Sequence, residues 1–192
     1  MYRAFVDNIV PVDNNHKFWK LKVPLKIKFF AWYLRRGVIL TKDNLGKRNW
    51  IGSLKCVFCH HNETIKHLFF QCNFAHSIWP VNQMASNLYP PSSVVNMFDN
   101  WLRGIHNKFR ILILVGALAL IWSLWLCRND LVFNGKSSSP LPVIYWCTSL
   151  LCLWLPLWCM ENRELFMEVC TRLEQMVRDI FIRLVRRHRG WL

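Results

Sequence analysis

The segment that most constrains this chain is Cys56 to Cys72, CVFCHHNETIKHLFFQC, with the spacing C-x2-C-x7-H-x4-C. Three thiols and one imidazole within so short a span suit a tetrahedral Zn²⁺, for which both are ordinary ligands. Cys56 and Cys59 are close enough in sequence for one tight turn to aim both sulfurs at a single point. His67 and Cys72 flank a short apolar segment that reads as a helix. Their separation puts them about 140° apart around an α-helix, so Cys72 is expected to come off its frayed end. All four positions are filled by protein. That leaves no place for a reactive water and marks the zinc as structural, not catalytic. The rival explanation is a set of unrelated buried thiols, since the chain has 8 cysteines. A histidine and a third cysteine at compact spacing favour the metal. His60, His61 and His76 are spare imidazoles, any of which could stand in for His67.

Charge is the second constraint. The 192-residue chain carries a formal net charge of +14, which points to a polyanionic partner. Between residues 17 and 55 there are eleven Lys and Arg against one acid, Asp43, so most of the excess lies just ahead of the cysteines. Lys26, Lys28, Arg35, Arg36, Lys47, Arg48 and Lys55 are the candidate phosphate contacts. They are interleaved with Phe30, Trp32, Tyr33 and Trp50, which could stack on bases. Large aromatics dominate cores, so each of these rings, taken singly, is expected to be buried. The first thirty residues hold Asp7, Asp13 and Lys17 and no apolar run of secretory length. The chain is therefore expected inside the cell, in nucleus or cytoplasm, with reduced thiols.

Residues 1–15 show no period and read as a lead-in. Pro24 suits a helix start, and Leu25, Phe29 and Trp32 form one apolar face. Gly37 suits the left-handed position that ends a helix, and Thr41 can cap a short one over KDNLGKR. Past the cysteines, NFAHSIWPVNQMASNL reads as a helix broken near Pro80, and PPSS at 90–93 as a linker.

Taken together, residues 16–80 resemble the zinc-binding domain that follows the reverse transcriptase of plant non-LTR (LINE-type) retrotransposons. The resemblance is carried by Trp19, Val23, Pro24, Lys26, Phe30, Trp32, Leu40, Thr41, Asn44, Leu45, Arg48, the four ligands, Leu68, Phe69 and Trp79. A weaker similarity, W-x-x-W-x-x-R-N, follows at Trp122, Trp125, Arg128 and Asn129, with Val132 and Phe133 beyond. The resemblance implies an accessory module that helps a reverse transcriptase hold RNA or DNA. The polymerase signature Tyr/Phe-x-Asp-Asp is missing, and the few acids form no cluster for catalytic Mg²⁺. The chain therefore reads as a fragment or remnant without enzymatic activity.

The second half carries two uncharged runs, 111–127 and 141–160, of 17 and 20 residues. Both are long enough to span a bilayer, which needs ~17–25 apolar residues. Pro142 and Pro156 and the tandem tryptophans favour a buried core instead, with Cys127, Cys147, Cys152 and Cys159 as buried thiols. Residues 161–189 form an amphipathic helix with an apolar stripe that includes Leu173, Val177, Ile180 and Leu184. That stripe is expected to pack on the 111–127 run. Glu168–Arg172, Glu174–Arg178 and Asp179–Arg183 are potential i, i+4 pairs.

The expectation is a mainly α-helical protein: a zinc-knuckle domain over 16–89 and a helical region over 90–192. It would bind RNA or single-stranded DNA without catalysis, beside a reverse transcriptase. The alternatives are a zinc-shaped protein-interaction module and a membrane hairpin with a cytoplasmic zinc head.

Overall fold

The computed structural model describes residues 19–136, 139–158 and 160–189. The lead-in and Cys159 lie outside them. The described chain is helical: α1 (Leu25–Arg35), α2 (Lys42–Gly46), a π-helical turn (His67–Gln71), α3 (Asn73–Ser86), α4 (Val94–Asp99), α5 (Asn107–Asn134), α6 (Pro140–Trp154), a 3₁₀ turn (Leu155–Leu157) and α7 (Met160–Arg189). The only backbone pairing of β type among these residues is one isolated bridge, Lys55 to Asn62.

α1 begins after Pro24 and ends where the sequence requires. Gly37 takes φ +70°. The Gly37 N–H donates to the Leu34 carbonyl and the Val38 N–H to the Tyr33 carbonyl. That pair of bonds satisfies two carbonyls at the helix end. The buried face of α1 is Ile27, Phe30, Ala31 and Leu34, not Leu25, Phe29 and Trp32 as expected. Both sets have helical spacing. The turn entering α1 buries Leu21 and Val23, and this anchors the 27/30/31/34 side inward. Phe30 is core as expected, whereas Tyr33 and Trp50 are exposed.

α3 runs through Pro80 without a break. It ends at Asn87, whose φ of 54° is left-handed. The PPSS segment ends in Ser93, whose hydroxyl accepts from the Asn96 N–H to cap α4.

α5 extends beyond the apolar run and so includes the whole W-x-x-W-x-x-R-N pattern. Five consecutive residues, Ala117 to Ile121, are buried, so protein surrounds the helix on every side at that level. α5 and the 140–157 segment are long and apolar enough to cross a membrane by length and composition, yet half of the first window is covered by protein here. Pro140 and Pro142 sit in the first turn of α6, where a missing N–H leaves no bond unmade, and Pro156 falls in the 3₁₀ turn that ends it.

α6 packs on α5 across their short link, and α7 lies on α6 and α3. Among the described residues, α7 packs mainly on α6 and α3 and not mainly on α5 as expected. A cavity of about 500 Å³ lies between α5 and α7, lined by Leu112, Ile113 and Gly116 of α5 and by Phe166, Val169 and Leu173 of α7. α6, joined to α5 by a short link, occupies the place beside it. Leu173 is buried as expected, whereas the side chains of Val177, Ile180 and Leu184 lie outside the described ones. Glu168 and Arg172 form their pair at 2.5 Å, whereas Glu174 and Arg178 do not. The Asp179–Arg183 pair involves an undescribed side chain.

One hydrophobic core runs from Leu21 to Leu173, across the expected boundary at 89/90. Cys127 and Cys147 are buried within it. Burial pushes the Cys147 thiol up to about 12, so it stays protonated and inert.

Candidate metal centre

The knuckle is closed first by backbone. The Cys56 N–H donates to the His61 carbonyl at 2.7 Å and the Glu63 N–H to the Leu54 carbonyl at 2.8 Å. Between these bonds the C-x2-C turn folds over, so that the Phe58 and Cys59 N–H groups point at the Cys56 sulfur. The Phe74 N–H does the same for Cys72. Such donors favour the thiolate that a metal requires.

The other two ligands come from the π turn. Its Cys72 N–H donates to the His67 carbonyl, five residues back, at 2.7 Å. A π turn closes over five residues where an α turn closes over four. Positions 67 and 72 are thereby brought back to one side. Cys72 does not leave a frayed α-helix, as expected from sequence. It sits at the junction of the π turn and α3, in extended conformation, and serves as the residue before α3. The Thr64 hydroxyl accepts from the His67 N–H at 3.0 Å and fixes the turn's start.

The ligand atoms of Cys56, Cys59, His67 and Cys72 all lie within 4.8 Å of one another. Cys56 Sγ is 4.0 Å and Cys59 Sγ 3.8 Å from Cys72 Sγ, and His67 Nε2 is 3.1 Å from Cys59 Sγ. Sulfurs at about 2.3 Å from a tetrahedral zinc would be about 3.8 Å apart, so the cage has the right size. The hydrogen bond between Cys56 and Cys72 raises the first thiol and lowers the second, the behaviour of two sulfurs sharing one proton. Burial, then the neighbouring His61, holds His67 below the usual imidazole range, with Glu63 opposing. His67 is thus neutral at neutral pH, the form that binds metal. Of the spare imidazoles, His61 is nearest: its Nδ1 is 3.7 Å from Cys59 Sγ, but it is exposed. His60 and His76 are exposed and outside the cage. These four side chains hold a structural zinc.

Sequence reasoning missed Glu63. Its carboxylate is fully buried and takes Arg128 of α5, with Nη2 at 2.7 Å and Nε at 3.2 and 3.3 Å. Arg128 is itself 3% exposed and lies over the Trp125 ring. The same carboxylate accepts the Lys42 N–H at 3.0 Å, and the Glu63 carbonyl accepts that of Asp43. Glu63 therefore does the capping expected of Thr41, whose hydroxyl instead donates to Asp43 at 2.5 Å. The available signal was an acid lodged inside the ligand spacing of an otherwise basic segment. Around this pair, Phe30 meets Trp122 at 4.9 Å, and Phe69 meets Trp125 at 6.4 Å. The distant W-x-x-W-x-x-R pattern is thus the strut of the zinc loop.

The basic candidates do not form one cluster. Lys26 lies 5.9 Å from the Trp122 ring and Lys28 donates to the Trp19 carbonyl. Arg36 stacks over Trp32 at 4.1 Å. Arg35 is engaged by Asp99 at 2.8 Å. Lys47 approaches Asp43 at 3.7 Å while remaining largely exposed. Arg48 and Lys55 are exposed beside the knuckle. Among the described residues, acids pair with only two of the seven, Arg35 and Lys47.

Residues 1–79 match the protein family described as zinc-binding in reverse transcriptase. The match takes in the four ligands and the basic segment ahead of them, and together with the cage it supports a zinc-binding module. Comparison with curated proteins and with solved structures gives no match.

Proposed function

We propose that this chain is a non-catalytic nucleic-acid-binding module, an accessory to a reverse transcriptase, descended from a retrotransposon and acting inside the cell. The observation that carries the reading is the excess of ten positive charges over residues 17–55, the segment that leads into a zinc loop matching the family described as zinc-binding in reverse transcriptase. Zinc supplies folding energy to a loop that has few core residues of its own. Arg48 and Lys55 are exposed beside it, and Lys47 stays largely exposed despite its contacts with Asp43 and Asn44, so all three can meet phosphates. The closed ligand set supports a role without catalysis.

Replacing Lys47, Arg48 and Lys55 together by Ala should weaken binding of RNA or single-stranded DNA about evenly across sequences. The slope of log affinity against log salt should become shallower by about 0.7 per lost contact. An unchanged slope would place the binding face elsewhere.

A second reading is favoured by Trp50, Leu54 and a fully exposed Ile51, which put apolar surface next to the knuckle. On that reading zinc shapes a surface for a protein partner such as the polymerase. Binding that is insensitive to salt would support it.

A further inference from the structure

The outward face of α1 departs from that of an ordinary amphipathic helix, because it is apolar and aromatic where it meets solvent. At about 100° per residue, Leu25, Phe29, Trp32 and Arg36 fall within one narrow sector opposite the buried Ile27, Phe30, Ala31 and Leu34. Tyr33 stands at its edge. Leu25 is 61% exposed, and Phe29 and Tyr33 are each 45% exposed. Trp19, also exposed, meets Phe29 edge-on at 5.5 Å, and Trp32 meets Tyr33 edge-on at 4.9 Å. These edge-on contacts order the rings while leaving Trp19, Phe29 and Tyr33 exposed; Trp32 is half-buried, with Arg36 over it. Successive rings at positions 29 and 33 rise by about 6 Å along the helix.

The charge around this stripe has one sign. α1 contains no acid. Lys26 flanks the stripe on one side and Lys28 on the other, and the Arg36 guanidinium already lies over the Trp32 ring, 4.1 Å from its centre. An apolar protein partner would need only the rings. A partner that needs both π faces and cations is a strand with unpaired bases and a phosphate backbone. A duplex offers the phosphates but hides its base faces.

We propose that the outward face of α1, built on Phe29, Trp32 and Tyr33 with Lys26, Lys28 and Arg36, is a stacking platform for single-stranded nucleic acid. The bases lie on the rings and the backbone runs along the cations. This rests on the reading of the chain as a nucleic-acid binder, and it adds a site and a strand preference. The phosphate contacts beside the knuckle supply salt-dependent affinity; the platform supplies discrimination against duplex.

The test uses the full zinc-loaded chain with two probes of equal length, an oligo-U RNA and a blunt DNA duplex. Wild type should bind the single strand more tightly. Phe29→Ala with Tyr33→Ala should weaken single-strand binding at least about fivefold, the low end for losing one stacked base. The salt slope and duplex affinity should be unchanged. Both residues are exposed, so zinc content and melting should stay at wild-type values. Phe29→Leu with Tyr33→Leu, which keeps apolar surface but removes the rings, should lose affinity as the Ala pair does. Wild-type affinity in either pair would overturn the platform, as would equal loss toward the duplex. If that happens while Lys47, Arg48 and Lys55 still control binding, the general reading stands and only the platform falls. If the wild type binds neither probe, both fall.

Discussion

At the scale of single residues, the zinc ligands and the Glu63–Arg128 pair carry the most consequence. Cys59→Ser removes a sulfur that stands 3.8 Å from Cys72 Sγ, the separation of two thiolates on one tetrahedral zinc. It should abolish stoichiometric zinc and loosen residues 50–80, read by metal analysis and by hydrogen exchange. Zinc retained at one per chain in that variant would show that the cage is not the site. Acid should do the same to wild type. Binding needs deprotonated thiols and a neutral imidazole, so zinc is held at neutral pH and lost as pH falls. The lowered His67 helps here, because its neutral form persists to more acidic pH than an ordinary imidazole's would. A zinc content unchanged from neutral to strongly acidic solution would contradict thiolate ligation. Arg128→Met strands the fully buried Glu63 carboxylate without its partner. Removing one member of a buried pair costs about 3–5 kcal/mol. The denaturant midpoint should fall accordingly, and adding Glu63→Gln should recover part of the loss. A midpoint equal to that of wild type would mean that the pair does not bear on stability.

At the scale of elements, the π turn and the end of α1 are where local geometry decides function. The π turn converts an awkward five-residue spacing into two ligands aimed at one point, and it delivers Cys72 to the start of α3. The Trp79 indole N–H donates to the Phe69 carbonyl at 2.7 Å and so pins that turn from α3. α1 stops at Gly37, whose φ of +70° is costly for any residue with a Cβ. Nothing lies within 4 Å of where that Cβ would be placed, so Gly37→Ala tests backbone strain alone. It should lower stability by about 1–2 kcal/mol, seen as a lower melting temperature with zinc content intact. A melting temperature equal to wild type would mean that the left-handed turn has relaxed.

At the scale of the whole molecule, the zinc module and the apolar helices form one body. Phe30 and Phe69 reach Trp122 and Trp125, Arg35 reaches Asp99, and Trp101 donates to the Tyr89 carbonyl. A chain cut after residue 89 would expose this aromatic cluster and strand Glu63. It should hold zinc more weakly than the full chain and aggregate, as measured by chelator competition and light scattering. A cut chain that is monomeric and has full zinc affinity would show that the module folds alone.

The sequence by itself determined the three cysteine ligands, the helical class, the glycine stop of α1 and the amphipathic last helix, while the fold chose His67 among the imidazoles. Each depends on residues close together in the chain, where spacing and backbone preference act directly. Which side of α1 turns inward was beyond it, because two apolar sets of helical spacing compete there, and burial of Leu21 and Val23 together with the contacts of Phe30 to Phe69, Trp122 and Trp125 chooses between them. The same holds for Glu63. A carboxylate in a basic segment reads as a solvated charge until the fold brings Arg128, 65 residues away, against it. The place of α7 was likewise decided by packing: apolar stripes are interchangeable as patterns, and the order in which neighbours cover one another exists only in three dimensions.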